Sequence, residues 1–318
     1  MTINVGSFEL LNTHIRPATR CTIQLDLGKI GGHSTSVEII NGRNPGPVLC
    51  LTAALHGDEL NGIEIIRQLM QGIDPEIFCG VIVAVPVVNQ DGYHHKTRYV
   101  DGVGDLNRSF PGDQNGTCCQ QMAYTLFTEV ISHCDAVIDV HTGSSGRENL
   151  PQLRVDLSIK QNEVLSSGFS RLSIIQSNPP RGSLREASSL SGIPALVMEI
   201  GGSQGVEPEK VLLGVEALQA LLGSIEMTAV PPFDPEFQRV YYGGGWIRSE
   251  REGIFIAKAC LGDVVQAGDI LAEIIDPLLS TTYRVEAPLH CTILGRSHNQ
   301  YVGQGTGLFR VGIERVPI

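Results

Sequence analysis

The sequence lacks an excess of positive charge. Its 23 lysines and arginines are outnumbered by 34 aspartates and glutamates, and the formal net charge is −11. Nucleic acids and anionic membranes attract basic proteins, so we expect neither as a partner. The net negative charge does not exclude an anionic small molecule as a substrate, because a local group of arginines can make the electrostatic potential inside a pocket positive.

Long apolar segments and targeting signals are also missing. No run approaches the roughly 18 apolar residues of a membrane-spanning helix, and residues 1–20 lack the basic and then apolar pattern of a secretory signal. The expected location is therefore the cytoplasm, where the eight cysteines are expected to be reduced. No CxxC pair occurs, so a cysteine zinc site is not expected. A homo-oligomer is compatible with the sequence.

Strand-like and helix-like segments alternate up to about residue 230. The clearest strand patterns cover residues 48–55, 78–88, 135–140 and 193–200, and the clearest helical patterns cover 61–70, 118–132 and 208–225. This alternation predicts an α/β fold whose mainly parallel sheet is covered by helices on both faces, a three-layer α/β/α arrangement. Sites in such sheets collect at the carboxyl ends of the strands.

The composition changes after residue 230. Residues 230–235 are rich in proline and predict a linker, and residues 253–318 contain short strands and glycine turns. We therefore divide the chain into a catalytic domain, 1–230, and a small C-terminal β module, 231–318. The module resembles the barrel-sandwich fold of biotinyl and lipoyl carriers, but the turn at 275–280 has no lysine. A carrier role is not expected, and the module is expected to border the cleft.

Three residues are candidate metal ligands. His56 and Glu59 stand three residues apart where an apolar strand meets a helix, and Gly57 between them allows a tight turn. His141 follows a second apolar strand. A catalytic zinc is held by about three protein ligands with one position left open, and two histidines with one glutamate are a standard set. The alternative for the first pair is a helix cap with a surface carboxylate.

The loop that follows the predicted strand at 78–88 carries several polar candidates. An Asn–Arg pair, Asn107 and Arg108, can hold a carboxylate, and Arg98 can polarise a carbonyl. Asp105 can orient a metal-bound histidine by accepting its N–H. The alternative is a solvated loop with salt bridges.

Glu199 ends an apolar strand, directly before two glycines. A carboxylate in such a place is costly to bury unless it is paired, and it can serve as a general base. A structural glutamate bonded to backbone amides is the alternative. A rival site follows at once, because residues 201–205 match G-x-S-x-G and would make Ser203 a nucleophile. A serine mechanism leaves His56, Glu59, Arg98 and Arg108 without a role.

Four segments in this order resemble the succinylglutamate desuccinylase and aspartoacylase family, whose members are zinc acylases related in fold to zinc carboxypeptidases. The segments are HGDE at 56–59, DLNRSFPG at 105–112, DVHTG at 139–143 and MEIGG at 198–202. The resemblance covers roughly residues 46–205 and the helix that follows. It implies a zinc-carboxypeptidase-like domain with a mixed, mainly parallel sheet and one zinc ion per chain.

The resemblance also implies roles for individual residues. It makes His56, Glu59 and His141 the zinc ligands and Glu199 the general base. Arg98 would polarise the acyl carbonyl. A substrate carboxylate would be held by Asn107, Arg108 and an arginine that precedes the Glu199 strand, for which Arg185 is the candidate. Asp105 would orient a zinc-binding histidine.

The sequence therefore predicts a zinc-dependent amidohydrolase that acts on a small N-acyl amino acid or N-acyl diamine. Three alternatives stay open: a zinc carboxypeptidase acting on peptides, a serine hydrolase that uses Ser203, and a binding protein without activity. From the β module, Tyr283 and Arg284 are the candidates for reaching the site.

Overall fold

The computed structural model describes residues 6–28, 34–100, 104–144, 146–229 and 238–315. Within these ranges, no helix is both long and apolar enough to cross a membrane. The fold is mixed α/β, which confirms the predicted class. The linker predicted at residues 230–235 lies outside the described residues.

The strands before residue 230 are β1 (Phe8–Leu10), β2 (Thr13–Ile15), β3 (Thr19–Asp26), β4 (Ser34–Asn41), β5 (Asn44–Ala53), β6 (Cys79–Val85), β7 (Ala136–Gly143), β8 (Arg147–Val155), β9 (Ser173–Gln176) and β10 (Ala195–Gly202). The helices are α1 (Asn61–Gly72), α2 (Gln90–His95), α3 (Cys118–Glu129), α4 (Lys160–Ser166), α5 (Leu184–Leu190) and α6 (Pro208–Ser224). Later strands are β11 (Val240–Tyr242), β12 (Trp246–Arg248), β13 (Gly253–Ala257), β14 (Val264–Val265), β15 (Ile270–Asp276), β16 (Thr281–Glu286), β17 (Cys291–Ser297), β18 (Tyr301–Val302) and β19 (Gly307–Glu314).

One large sheet organises the described residues. Its order is β14-β17-β19-β11-β9-β8-β10-β7-β5-β6-β4-β3, with β12 added beside β19. Pairing is parallel at the centre, from β6 through β5 and β7 to β10, and antiparallel where β4 joins β6 and where β8 joins β10. Because the central strands are parallel, their carboxyl ends meet at one edge.

Apolar side chains form a core on each face of this sheet. Leu49 and Leu51 of β5 pack with α1 and α6, whereas Cys50 between them packs with α3 and α5. Successive side chains of a strand point to opposite faces, so one buried strand serves both cores. In α1, Ile65 and Leu69 are almost fully buried, and each contributes about 1.5–3 kcal/mol by leaving water.

The strands after residue 238 have a core of their own and also extend the large sheet. Phe255, Leu271 and Phe309 belong to this third core. Strand β17 pairs antiparallel with β8, and β11 pairs parallel with β9. The sheet therefore continues from the first part of the chain into the second. Strands β16, β15, β13 and β18 form a separate four-stranded sheet.

Several elements were not expected from the sequence. Strand β8 contains Pro151 and several polar residues, which argue against a central strand, yet it pairs with β10, β9 and β17. Strand β9 and helix α5 were also missed. The segment 89–112 was expected to be a loop, but it includes α2, where the Asn89 side chain accepts from Gly92 N, and a 3₁₀ turn capped by Asp105.

Candidate metal centre

The first candidate ligands lie on a tight turn after β5. The amide N–H of Glu59 donates to the His56 carbonyl, at 3.2 Å, and α1 begins two residues later. Gly57 in this turn packs against the backbone of Gly92, so closely that a Cβ atom would lie 1.9 Å from the Gly92 carbonyl carbon. The small residue is therefore required by backbone packing against α2.

Gly57→Ala is expected to destabilise the protein by about 3 kcal/mol, at the upper end of the cost of overpacking a filled core. The clash is with backbone, which cannot move aside as a flexible side chain can. Chemical denaturation of the two proteins measures the difference. Gly72→Ala is the matched control, because nothing lies within 4 Å of its added Cβ; equal stabilities of Gly57→Ala and wild type would contradict the expectation.

Both predicted histidines contact the predicted glutamate. Glu59 Oε1 lies 2.8 Å from His56 Nδ1, and Glu59 Oε2 lies 2.8 Å from His141 Nδ1. One donor atom from each of the three residues lies within 4.8 Å of the other two, and all three residues are buried. Residues 82 positions apart in the chain are brought together because β5 and β7 are parallel neighbours.

The far side of each imidazole faces a carboxylate. His141 Nε2 lies 2.6 Å from Asp139 Oδ2, and His56 Nε2 lies 3.3 Å from Asp105 Oδ1. Such contacts fix the tautomer and orientation of a metal-binding histidine and leave Nδ1 for the ion. Two oriented Nδ1 atoms and a carboxylate are a donor set that suits Zn²⁺, so the residues present fit this metal.

The electrostatics of the cluster keep Glu59 ionised. Burial favours its neutral form, but the charges of His56 and His141 outweigh burial and hold the pKa of Glu59 well below its usual range. Burial likewise favours neutral His141, but the charges of Asp139 and Glu59 raise the pKa of His141 well above its usual value. A metal ion entering the cluster would therefore displace protons from the imidazoles.

Arg98 lies beside the same cluster. Its Nη2 donates to Asp105 Oδ2 at 2.9 Å, its Nη1 donates to Ser144 Oγ at 2.8 Å, and Nη1 is 3.7 Å from Glu59 Oε1. Ser144 Oγ in turn donates to Glu59 Oε1. Asp105 thus contacts both His56 and Arg98, and these cationic partners overcome burial and lower the pKa of Asp105.

The predicted Asn–Arg pair lies at the same cavity. Asn107 is buried, its Oδ1 accepts from Leu184 N at 2.8 Å, and its Nδ2 lies 3.4 Å from His141 Nε2. Arg108 is exposed, and its Nη1 donates to the Asn107 carbonyl at 2.6 Å. Arg185, in α5, is buried and also faces this cavity.

Glu199 stands next to His141 across the sheet. The two residues are register partners in the parallel pair of β10 and β7. Glu199 Oε2 accepts from Asn149 Nδ2 at 2.7 Å, and Oε1 lies 2.8 Å from Arg154 Nε as an ion pair without good hydrogen-bond alignment. Among the described residues, the carboxylate is therefore held by side chains of β8 and accepts no hydrogen bond from a backbone amide.

One cavity of about 370 Å³ is lined by the candidates His56, Glu59, Arg98, Asn107, Arg108, His141, Arg185 and Glu199. Asp105 and Asp139 are not among its lining residues, but each contacts a histidine that is. Its walls also include residues that the sequence did not indicate: Arg147, Asn149, Arg154, Trp246 and Arg310. Arg147 lies over the Trp246 ring, 4.6 Å from its centre, so β8 and β12 meet at the cavity wall. Of the module residues that the structure describes, Trp246 and Arg310 line the cavity, and the candidates Tyr283 and Arg284 do not.

Ser203 is not part of this cavity. Its Oγ accepts from the Gly146 amide at 3.3 Å. The two histidines of the module are engaged elsewhere, His290 with the Val265 carbonyl and His298 with Glu148. In the part of the chain that the structure describes, no histidine forms a hydrogen bond with Ser203, so the arrangement lacks the base that a serine nucleophile needs.

Comparison with known proteins gives one family. Residues 45–225, more than half of the chain, match the family described as succinylglutamate desuccinylase/aspartoacylase catalytic domain. An N-alpha-acetyl-L-2,4-diaminobutyric acid deacetylase from Halomonas elongata is 26% identical over 257 residues, which are 77% of this chain and 75% of the relative.

Solved structures that share the fold include the two that follow. The product-bound ectoine utilization protein EutE (DoeB) from Ruegeria pomeroyi has a TM-score of 0.83 and 20% identity, and the match covers 92% of this chain and 95% of that one. A succinylglutamate desuccinylase/aspartoacylase from Rhodobacter sphaeroides has a TM-score of 0.83 and 21% identity, with 94% and 96% covered. At these identities the structural likeness concerns the fold.

Proposed function

Since the chain belongs to the succinylglutamate desuccinylase/aspartoacylase family, we propose that it is a zinc-dependent amidohydrolase. The substrate is a small N-acyl amino acid or N-acyl diamine, and the products are a carboxylate and a free amine. The observation that carries this proposal is the meeting of His56, Glu59 and His141 donor atoms within 4.8 Å, at the wall of a cavity that also contains Glu199.

One zinc ion per chain would be held by His56, Glu59 and His141. When bound there, zinc would lower the pKa of a water molecule and polarise the amide carbonyl. Asp139 and Asp105 would keep both imidazoles oriented, because each accepts from the Nε2 side of one ring.

Glu199 transfers a proton in the reaction, as general base and then as general acid. Its carboxylate takes a proton from the attacking water, and then gives this proton to the nitrogen of the leaving amine as the C–N bond breaks. Asn149 and Arg154 of β8 hold the two carboxylate oxygens and fix the position of the group before the reaction. Its position beside His141 supports this role.

Arginines and an asparagine position the substrate. Arg98 stabilises the negative charge that develops on the carbonyl oxygen, since its guanidinium lies beside the ligand cluster. Asn107, Arg108 and Arg185 hold the carboxylate of the amino acid part. Asn107 is fixed for this by its bond to Leu184 N.

The domain assignment forms part of the proposal. Residues 1–230 make the three-layer α/β/α catalytic domain, and residues 231–318 make the β module that borders the cavity. The presence of Trp246 and Arg310 among the lining residues supports this role of the module. A cavity of about 370 Å³ suits a small substrate better than a peptide chain, so it favours the deacylase over the carboxypeptidase alternative.

We expect the purified protein to hydrolyse members of a panel of N-acetyl and N-succinyl amino acids and diamines. Zinc removal by a chelator should abolish turnover, and stoichiometric zinc should restore it. Amine release and metal content are measured together. Full activity in chelator, with inhibition by a serine-directed reagent, would favour the serine hydrolase; cleavage of peptides but of no panel member would favour the carboxypeptidase.

A further inference from the structure

We propose that Ser144 is a positioning residue of the metal centre, whose hydroxyl holds Arg98 away from the ligand carboxylate of Glu59. The inference rests on the proposed function, in which Arg98 stabilises the developing negative charge and Glu59 binds zinc. Ser144 directly follows the DVHTG segment, and it lines the same cavity as both of these partners.

The partners of Ser144 fix the direction of its two hydrogen bonds. A guanidinium can only donate, and Arg98 Nη1 donates to Ser144 Oγ at 2.8 Å. A carboxylate can only accept, so the Ser144 O–H donates to Glu59 Oε1. The hydroxyl therefore stands between a cation and an anion, where each of its two bonds strengthens the other.

Arg98 is close enough to compete with zinc for the ligand atoms. Its Nη1 lies 3.7 Å from Glu59 Oε1 and 3.2 Å from His56 Nδ1. The Glu59 side chain is 2% exposed, and attraction between charges that are screened so little by water is strong. Without the Ser144 hydroxyl as its acceptor, Nη1 would pair directly with the Glu59 carboxylate.

Asp105 holds the other side of the same guanidinium. Its Oδ2 accepts from Arg98 Nε at 3.2 Å and from Nη2 at 2.9 Å. Asp105 and Ser144 thus fix the planar group at two of its sides. Loss of the serine hydroxyl would leave the group free to turn towards Glu59, and a small misplacement of a catalytic group is sufficient to slow a reaction strongly.

Contacts on both sides of the hydroxyl hold the segment that carries it. The Gly146 amide donates to Ser203 Oγ at 3.3 Å, and the Gly146 carbonyl accepts from His298 N at 2.7 Å. On the other side, the Thr142 amide donates to Glu59 Oε2 at 3.0 Å. The segment is therefore fixed by the metal centre, by the residue that follows β10 and by the C-terminal module, and Ser203 serves as one of its anchors.

Zinc binding provides the first test, because it does not depend on activity. In Ser144→Ala, pairing of Arg98 with Glu59 should raise the zinc dissociation constant at least about tenfold, as for a hydrogen bond to a charged group. Zinc titration with a melting-temperature readout measures this change. If Arg98 did not move, loss of the hydroxyl would leave Glu59 a better ligand, so unchanged or tighter zinc binding would overturn the inference.

A double-mutant cycle separates this effect from a general loosening of the site. Arg98→Met removes the competing cation, so Ser144→Ala should no longer weaken zinc binding in that background. An equal loss in both backgrounds would contradict the role of Arg98. Ser144→Thr keeps a hydroxyl and should bind zinc as wild type does, whereas binding as weak as in Ser144→Ala would count against the proposal.

Kinetics on the same variants provide the second test. Arg98 acts on a charge that exists only in the transition state, so Ser144→Ala should lower kcat roughly tenfold to a hundredfold and leave KM near the wild-type value. Ser132→Ala is the control, because exposed Ser132 donates to the Thr128 carbonyl and does not line the cavity. A higher KM with unchanged kcat would show uniform substrate binding and overturn the positioning role.

The outcomes distinguish this inference from the proposed function. A wild type that binds no zinc and hydrolyses no panel member would overturn the proposed function, and this inference with it. A wild type that binds zinc and hydrolyses a panel member, with a Ser144→Ala variant that does both equally well, would overturn this inference alone.

Discussion

Glu199→Gln is expected to lower kcat roughly a hundredfold to ten-thousandfold while zinc content stays at the wild-type level. The amide has the shape of the carboxylate but cannot accept a proton from water at neutral pH. Asn149 donates to one oxygen of Glu199 and Arg154 forms an ion pair with the other, so the NH₂ of glutamine would face one of these two groups. The proposed zinc ligands are other residues and keep their own contacts.

Kinetics and metal analysis on the same preparation check this expectation. Glu209→Gln is the matched control, because Glu209 is exposed in the first turn of α6 and does not line the cavity. It should behave as wild type. Retention of wild-type kcat in Glu199→Gln would exclude the proton-transfer role and leave Glu199 as a structural partner of Arg154.

The strand pattern of the sequence was sufficient to locate the centre of the site. Apolar strands that end on His56, His141 and Glu199 are readable from local composition, and parallel pairing puts such ends at one edge. The structure brings these three residues to one cavity wall. Strand β7 continues to Gly143, so His141 lies inside the strand and not after it.

The cavity residues on β8 and β19 could not be predicted from the sequence in the same way. Arg154 lies on β8, whose proline and polar residues do not match the pattern of a central strand. It contacts Glu199 because β8 pairs antiparallel with β10. Arg310 is more than 100 positions from Glu199, and its place depends on the pairing of β17 with β8 and of β19 with β17. Pairings of this kind are decided by tertiary packing and leave no local signal.

His56→Ala is expected to weaken zinc binding at least roughly a hundredfold, since the 10–16 kcal/mol of a four-ligand zinc site corresponds to about 3 kcal/mol per ligand. Turnover should fall to the background rate. Removal of the imidazole also deprives Glu59 and Asp105 of a partner, at Oε1 and Oδ1. The pKa of Glu59 should therefore move upwards, which weakens the second ligand as well.

Zinc titration with a melting-temperature readout tests this expectation independently of activity. A ligand that binds only the folded state raises its stability in proportion to RT ln(1 + [L]/Kd), so zinc should stabilise wild type but not His56→Ala. His14→Ala is the control, because His14 is exposed and pairs with Glu9 on the hairpin of β1 and β2. Equal zinc content and an equal rise in melting temperature for His56→Ala and wild type would show that His56 is not a ligand. The proposed metal centre would then consist of His141 and Glu59 alone.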